Sequence, residues 1–193
     1  MQTKHILFII TRSDTIGGAQ IHVLNLSAWL ISKGYKVSVI HGGKGILYKQ
    51  LTNNGVNCLP LYSLKREFNV ISDIKTILTI GKYISELKPD LISLHSFKAG
   101  LLVRLLNLIS PKNKIIYTAH GFSFYRTIKS NFIRKFFFFL ESLLNRRIKL
   151  LITVCKTDKE YAMQNKLIKK NKIYVIQNGV FKSKYEIKDQ IIN

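Results

Sequence analysis

Along the chain, short unbroken apolar runs alternate with longer stretches in which apolar residues recur every three or four positions. HILFII (5–10), KVSVI (36–40), VNCLP (56–60), LISLH (91–95), KIIYTAH (114–120), LLITV (150–154) and KIYVI (172–176) have strand length and predict buried strands. Helical spacing fills the gaps: 19–33 closed by Gly34, 45–53 closed by Gly55, 71–87 stopped by Pro89, 97–109 stopped by Pro111, 131–148 and 157–167. Strands without polar alternation are buried on both faces, and strands separated by helices form βαβ units. The pattern therefore predicts one α/β domain, a parallel sheet with helices on both faces. The last stretch, KSKYEIKDQIIN (182–193), is unpatterned and reads as a polar tail or cut linker.

Composition narrows the partners. With 47% hydrophobic and 21% charged residues the chain can bury a core, which excludes wholesale disorder. Its 31 Lys and Arg against 10 Asp and Glu give a formal charge of +21, pointing to an anionic partner: a phosphorylated sugar, an anionic lipid or a nucleic acid. Cys58 and Cys155 have no metal-knuckle spacing, so a reducing compartment is expected. HILFII is too short for a signal peptide and runs into polar residues. The runs LLVRLL (101–106) and FFFFL (136–140) are interrupted or bounded by charge and fall short of the ~18 residues of a membrane span. Membrane contact is then expected to be peripheral.

A parallel sheet binds ligands beyond the carboxyl ends of its strands. There the sequence places Gly17 and Gly18, between the first strand and the first helix. They read either as a tight βα turn or as a loop letting an anion approach the helix N-terminus, where unpaired N–H groups and the dipole favour negative charge. Residues 17–22, GGAQIH, do not fit the GxGxxG dinucleotide fingerprint, and HGGKG (41–45) does not fit a P-loop. HGGKG reads as a βα turn, with Lys44 facing a phosphate as the alternative. His41, His95 and His120 each end a strand, so a parallel sheet brings all three to this edge, as packed residues or as site residues. No cysteine or carboxylate accompanies them at zinc-ligand spacing, and Asp14 is the one acid in a strand-end loop nearby.

Five stretches then occur in an order that resembles the N-terminal, acceptor-side domain of bacterial family 4 glycosyltransferases of the GT-B fold. They are IGGAQIHVLNLSAWLISKGYKVSVI (16–40), LHSFKAGLLVRLL (94–106), TAHGFSF (118–124), FLESLLNRRIKLLITVCKTDKEYA (139–162) and YVIQNGV (174–180). The resemblance spans residues 4–181 and divides the chain into that domain (1–181) and the tail (182–193). It implies a Rossmann-like domain facing a second one that binds the nucleotide sugar, and a retaining transferase with no cofactor or dedicated metal beyond that co-substrate. Position by position, it implies that Gly17 and Gly18 approach the donor diphosphate and that His120 lies by the transferred sugar as the catalytic-site residue. His95, Ser96 and Lys98 fall on the acceptor side. Cys155 and Lys156 stand where the family often has Ser and Glu, so a role for that loop is not carried over. The donor-binding domain would follow Val180, so the expectation is a chain that is inactive alone, either a fragment or half of a split enzyme with a separate donor-binding polypeptide.

Residues 123–149 combine Phe, Leu and Ile at helical spacing with Arg126, Lys129, Arg134 and Lys135, which predicts an interfacial helix on an anionic membrane. The resemblance adds a glycan or lipid-linked acceptor and a cytoplasmic location, peripheral on the inner face of the cell membrane. A core-packing helix with a solvated basic face is the alternative. Nucleic-acid binding is not expected, because no RNP-like motif or zinc finger is present and the basic residues are spread along the chain. A non-catalytic remnant or partner-binding half remains the other class.

Overall fold

The computed structural model describes residues 3–109, 113–122 and 129–179. Seven strands are described: β1 (His5–Arg12), β2 (Lys36–Gly42), β3 (Asn57–Pro60), β4 (Leu91–Leu94), β5 (Ile115–Ala119), β6 (Leu150–Thr153) and β7 (Ile173–Val175). All pair in parallel, in the order β3-β2-β1-β4-β5-β6-β7. Among the described residues, six α-helices lie between them: α1 (Gly18–Ser32), α2 (Ile46–Asn53), α3 (Val70–Leu87), α4 (Phe97–Ile109), α5 (Asn131–Asn145) and α6 (Lys156–Gln164). The proposed tail and Arg126 lie outside the described residues.

The unbroken apolar strands are explained by two cores. Along β1, Ile6, Phe8 and Ile10 enter one cluster with Val23 and Leu30 of α1 and Leu47 and Leu51 of α2. Leu7 and Ile9, one residue out of phase, enter the other with Ile80 and Ile84 of α3, Leu102 of α4 and Ala162 of α6. Successive side chains of a strand point to opposite faces, so a strand covered on both sides must be apolar throughout.

Helix ends follow local chemistry. Asn69 caps α3, accepting from Ser72 N at 2.9 Å, while Asp73 accepts from Asn69 N at 3.1 Å. α5 ends at Asn145 and α6 at Gln164, each three residues short of the predicted limit. Ile148 and Leu167 continue the apolar period in sequence, but they are core residues on chain already turning back to the sheet. At α6 the turn is a Schellman closure, Leu167 N to Ala162 O at 2.9 Å and Lys166 N to Met163 O at 3.0 Å. It puts Lys166 at φ 52°, a left-handed position without the glycine that would have signalled it.

α4 and α5 are joined by a buried ion pair. Arg104 and Glu141 form two parallel hydrogen bonds of 2.7 Å with side chains 1% and 2% exposed. Arg104 also donates to Gly100 O at 2.8 Å and Asn145 Oδ1 at 2.6 Å, and its guanidinium lies 4.2 Å from the Tyr117 ring centroid. Gly100 makes room, since a Cβ there would come within 2.8 Å of the Tyr117 ring. The charges that interrupt LLVRLL and FFFFLESLL are therefore each other's partners.

Removing one partner strands the other charge in the core. Glu141→Ala is expected to destabilise the fold by about 3–5 kcal/mol, whereas Arg104→Met with Glu141→Leu should lie closer to the parent than either single change. Urea unfolding of the parent, Glu141→Ala, Arg104→Met, Glu141→Leu and the double variant measures both differences.

Candidate functional site

β1 is the switch point of the sheet: the chain runs outward through β2 and β3 on one side, and through β4 to β7 on the other. Beyond the carboxyl ends of β1 and β4 the chain leaves a crevice, which is where a doubly wound sheet receives its ligand. Ser96 closes its floor. Its Oγ lies 2.6 Å from Thr11 Oγ1, accepts Thr11 N at 3.2 Å and accepts Ala99 N at 3.4 Å, tying β1 to the start of α4.

Gly17 and Gly18 are exposed at the head of α1. Gly17 is the N-cap, its N–H donating to Gln20 Oε1 at 3.2 Å, and Gln20 donates in turn to Arg12 O at 3.4 Å. A Cβ on Gly18 would sit 4.0 Å from Asn178 Nδ2, so a methyl fits and a large side chain meets Asn178. The segment after β7 thus arrives at the helix head.

One turn into α1, His22 packs against both strand-end histidines. Ring centroids lie 5.2 Å from His22 to His95, 5.4 Å from His22 to His120 and 5.5 Å from His95 to His120. His95, 1% exposed, lies with Nδ1 3.2 Å from His120 Nε2 and Nε2 2.8 Å from Ser93 Oγ. Its two nitrogens are both engaged, which fixes the ring and occupies Nε2 of His120. Burial holds His95 well below the usual imidazole value and, with the neighbouring His22, pushes His120 down to about 4. Burial also lowers His22, against a hydrogen bond with Asn178. The cluster is neutral at physiological pH, so His120 can hydrogen-bond a hydroxyl there but is a poor proton acceptor. Among the described residues no group of three or more His, Cys, Asp or Glu is placed to hold a metal ion.

His22 was not singled out in the sequence, where it sits in an apolar helical stretch. Counting one helical turn from Gly18 to His22 would have brought it to the same edge.

Other expected site residues have different surroundings. His41 is fully buried beneath its own turn, Nδ1 2.8 Å from Gly43 O and its ring 5.6 Å from Tyr48. HGGKG is a backbone-packed βα turn: a Cβ on Gly42 would lie 2.2 Å from Thr11 O, and one on Gly45 2.2 Å from Ser13 O. Lys44 Nζ lies over the Tyr48 ring at 5.6 Å. Lys98 is 3% exposed, pairs with Asp73 at 2.6 Å, donates to Glu67 O and lies 5.0 Å over the Phe68 ring. It anchors the chain from Glu67 to Asp73 and does not open into the crevice.

On α5 the expected amphipathic face is present, with Phe132 82%, Phe136 55% and Phe139 68% exposed. Lys129 and Lys135 are exposed beside them, and Arg134 is half-buried, donating to Asn131 Oδ1. No helix among the described residues is long and apolar enough to cross a membrane.

The depressed histidines make stability depend on pH. Each binds a proton more weakly folded than unfolded, where imidazole titrates near 6.5, so protons taken up by the unfolded chain favour unfolding as pH falls. Their contribution is complete above that value and is lost on the way down to about 4 for His120. His5 and His41 shift in the same direction. The thermal midpoint should drop between about pH 7.5 and about pH 5, and His120→Asn should flatten that slope.

Comparisons with known proteins bear on the fold and the family. The chain is 28% identical over 133 residues to an Escherichia coli UDP-Gal:alpha-D-GlcNAc-diphosphoundecaprenol alpha-1,3-galactosyltransferase, covering 69% of this chain and 34% of that protein. It is 29% identical over 177 residues to the Escherichia coli O-antigen biosynthesis glycosyltransferase WbnH, covering 92% and 49%. The chain thus spans half or less of the length of these relatives. Among solved structures, Anabaena Alr3699/HepE in complex with UDP superposes with a TM-score of 0.69 at 17% identity, over 91% of this chain and 44% of that one. A Rickettsia africae glycosyltransferase superposes with a TM-score of 0.66 at 18% identity, over 93% and 44%. The fold is that of one Rossmann-like half of GT-B glycosyltransferases. The profile of Glycosyltransferase Family 4 matches residues 16–183, so the chain belongs to that family.

Proposed function

We propose that this chain is the acceptor-side half of a retaining glycosyltransferase that moves a sugar from a nucleotide sugar onto a lipid-linked glycan, in O-antigen-type polysaccharide synthesis. The observation that carries the reading is the convergence of Gly17, Gly18, His22, His95, His120 and Asn178 at the switch point of the sheet. Relatives named for O-antigen synthesis and for a diphosphoundecaprenol acceptor support the substrate class, and a neighbour solved with UDP supports the donor class.

In this reading a second Rossmann-like domain, on the same or a separate polypeptide, presents the nucleotide sugar across the crevice. The first-turn N–H groups of α1 then meet the diphosphate, whose leaving charge they stabilise without a dedicated metal. His120, held by His95 and neutral, offers its remaining ring nitrogen to a hydroxyl of the transferred sugar. Closing the second domain excludes water, which would otherwise take the sugar. The half in hand works at the inner face of the cell membrane, held there by α5.

Radiolabelled sugar transfer to a membrane lipid fraction tests the reading. The 193-residue chain by itself should transfer nothing, and adding a family 4 donor-binding domain should produce transfer across a panel of nucleotide sugars. Gly18→Trp should abolish it by filling the diphosphate approach, and His120→Ala should lower kcat roughly 10- to 100-fold with less effect on folding. No transfer from the pair with any donor would point instead to a non-catalytic, partner-binding role.

Membrane attachment has its own test. Co-sedimentation with anionic vesicles should weaken as salt rises, because Lys and Arg near an anionic surface contribute about 1 kcal/mol each and are screened. Phe132→Asp with Phe136→Asp should weaken it further at fixed salt. Equal binding to neutral and anionic vesicles would overturn the attachment.

A further inference from the structure

The chain between β3 and α3 changes its chemistry in order: a sugar-sized polar cavity at Tyr62, exposed cations at Lys65 and Arg66, then exposed apolar residues from Phe68 onward. We propose that this order matches a sugar carried on a lipid diphosphate, head to tail, and that the segment from Tyr62 to Leu78 is the acceptor seat. The inference rests on the transferase reading and adds which residues hold the acceptor.

The cavity, about 320 Å³, opens beyond the ends of β1 and β2 beside the histidine crevice. That is at the lower end of the ~300–1,000 Å³ of small-molecule sites. Its polar walls are Arg12 and Asp14 on one side and Lys65, Arg66 and Glu67 on the other, with the 64% exposed Tyr62 ring between. Arg12 is clamped to Asp14 by bonds of 3.0 and 2.8 Å, so the pair presents a fixed array of donors and acceptors. Carboxylates accept from sugar hydroxyls, a guanidinium donates to them, and an aromatic face packs against the apolar face of a pyranose. The floor is backbone: Gly42 leaves space in which a Cβ would lie 2.3 Å from Leu64 O.

The cations and the apolar face follow without a break. Lys65 and Arg66 are exposed at the lip, and among the described residues neither forms an ion pair. Val70 is 75% exposed and Ile71 82%, with Ile74 and Leu78 one and two turns on along the outer face of α3. Asp73, Thr76, Ile80 and Ile84 take the opposite, buried face, so this exposure is fixed by the packing of the helix. A chain of ring contacts, Phe68 to Phe97 at 6.3 Å, Phe97 to Phe137 at 6.2 Å and Phe137 to Phe136 at 5.9 Å, joins this face to that of α5. Lys75, Lys129 and Lys135 stand exposed around it. An apolar surface rimmed by lysine suits an anionic bilayer, whereas a second copy would oppose like charges.

The seat is also pre-built. Ser63 Oγ accepts from Thr76 at 2.8 Å and Ser63 O accepts from Ser72 at 2.8 Å, stapling the loop to α3. Lys98, from beneath, holds Glu67 O and Asp73. Lys98 thus serves the acceptor side as a positioning residue that never touches the acceptor.

Equilibrium dialysis of the 193-residue chain against radiolabelled probes tests the seat without any donor domain. Farnesyl diphosphate should bind roughly tenfold or more tightly than either pyrophosphate or farnesol, since both parts of the seat contribute. Lys65→Glu with Arg66→Glu should weaken farnesyl diphosphate roughly tenfold. Ile71→Asp with Ile74→Asp should remove its advantage over pyrophosphate. Tyr62→Ala should weaken farnesyl-diphospho-N-acetylglucosamine while leaving farnesyl diphosphate unchanged. All these positions are exposed, so melting curves should match the parent. The proposal is overturned if Lys169→Glu with Lys170→Glu, an exposed pair outside the seat, weakens binding as much. It is also overturned if pyrophosphate binds as well as farnesyl diphosphate, or if Tyr62→Ala affects both lipid probes alike. Failed sugar transfer by the paired domains would leave these results standing and count against the transferase reading alone.

Discussion

The buried bridge between Arg104 and Glu141 sets the orientation of everything on the helical side facing α3 to α6. Glu141 cannot leave the interior without stranding Arg104, so the rotation of α5 about its axis is decided by one carboxylate. Nine residues earlier in a helix is two and a half turns, about 180° around. Phe132 must therefore face outward, and Phe136 and Phe139 fall on the same side. The exposed phenylalanines are a consequence of a core polar contact, and the amphipathic face and the ion pair are two views of one helix. The same network reaches Tyr117 of β5, three residues before His120, and through Asn145 the carbonyl of Leu167 ahead of β7.

Around the crevice, the fold spends polar groups on one another. Thr11, Ser96 and Ser93 bond to neighbours that close the floor, and His95 engages Ser93 with one nitrogen and His120 with the other. Among the described residues, what is left unoccupied is the first N–H groups of α1 and the second ring nitrogen of His120. Such a surface binds an anion and a hydroxyl more readily than it moves a proton, as the proposed transferase reading requires.

Much of the fold was legible because each strand is covered on both sides, which leaves an unbroken apolar signature, and because Gly34, Gly55 and Pro89 mark real chain reversals. Lys166 was not legible as a helix end, since its left-handed turn is enforced by Leu167 entering the core. The edge carrying Gly17, Gly18, His95 and His120 followed from the shared direction of parallel strands alone. Which side chains open there did not. His41 ends a strand like the other two but is capped by its own glycine turn, and Lys98 is drawn inward by Asp73, an acid far enough away in sequence to give no local sign. Tyr62, Lys65 and Arg66 lie in a connection with no period to read, and their common cavity exists through the packing of Gly42 against Leu64.

Asn178 carries a consequence for how the site comes into being. It lies just beyond β7, a three-residue strand held on one side by β6, and it meets Gly18 near the other end of the chain. The two lie far apart in sequence, so this contact closes a long loop and forms late in the folding of the domain. Edge strands are also where a sheet frays at lowest energy. Release of β7 would dismantle the ligand edge while uncovering little of the core beyond Ile173.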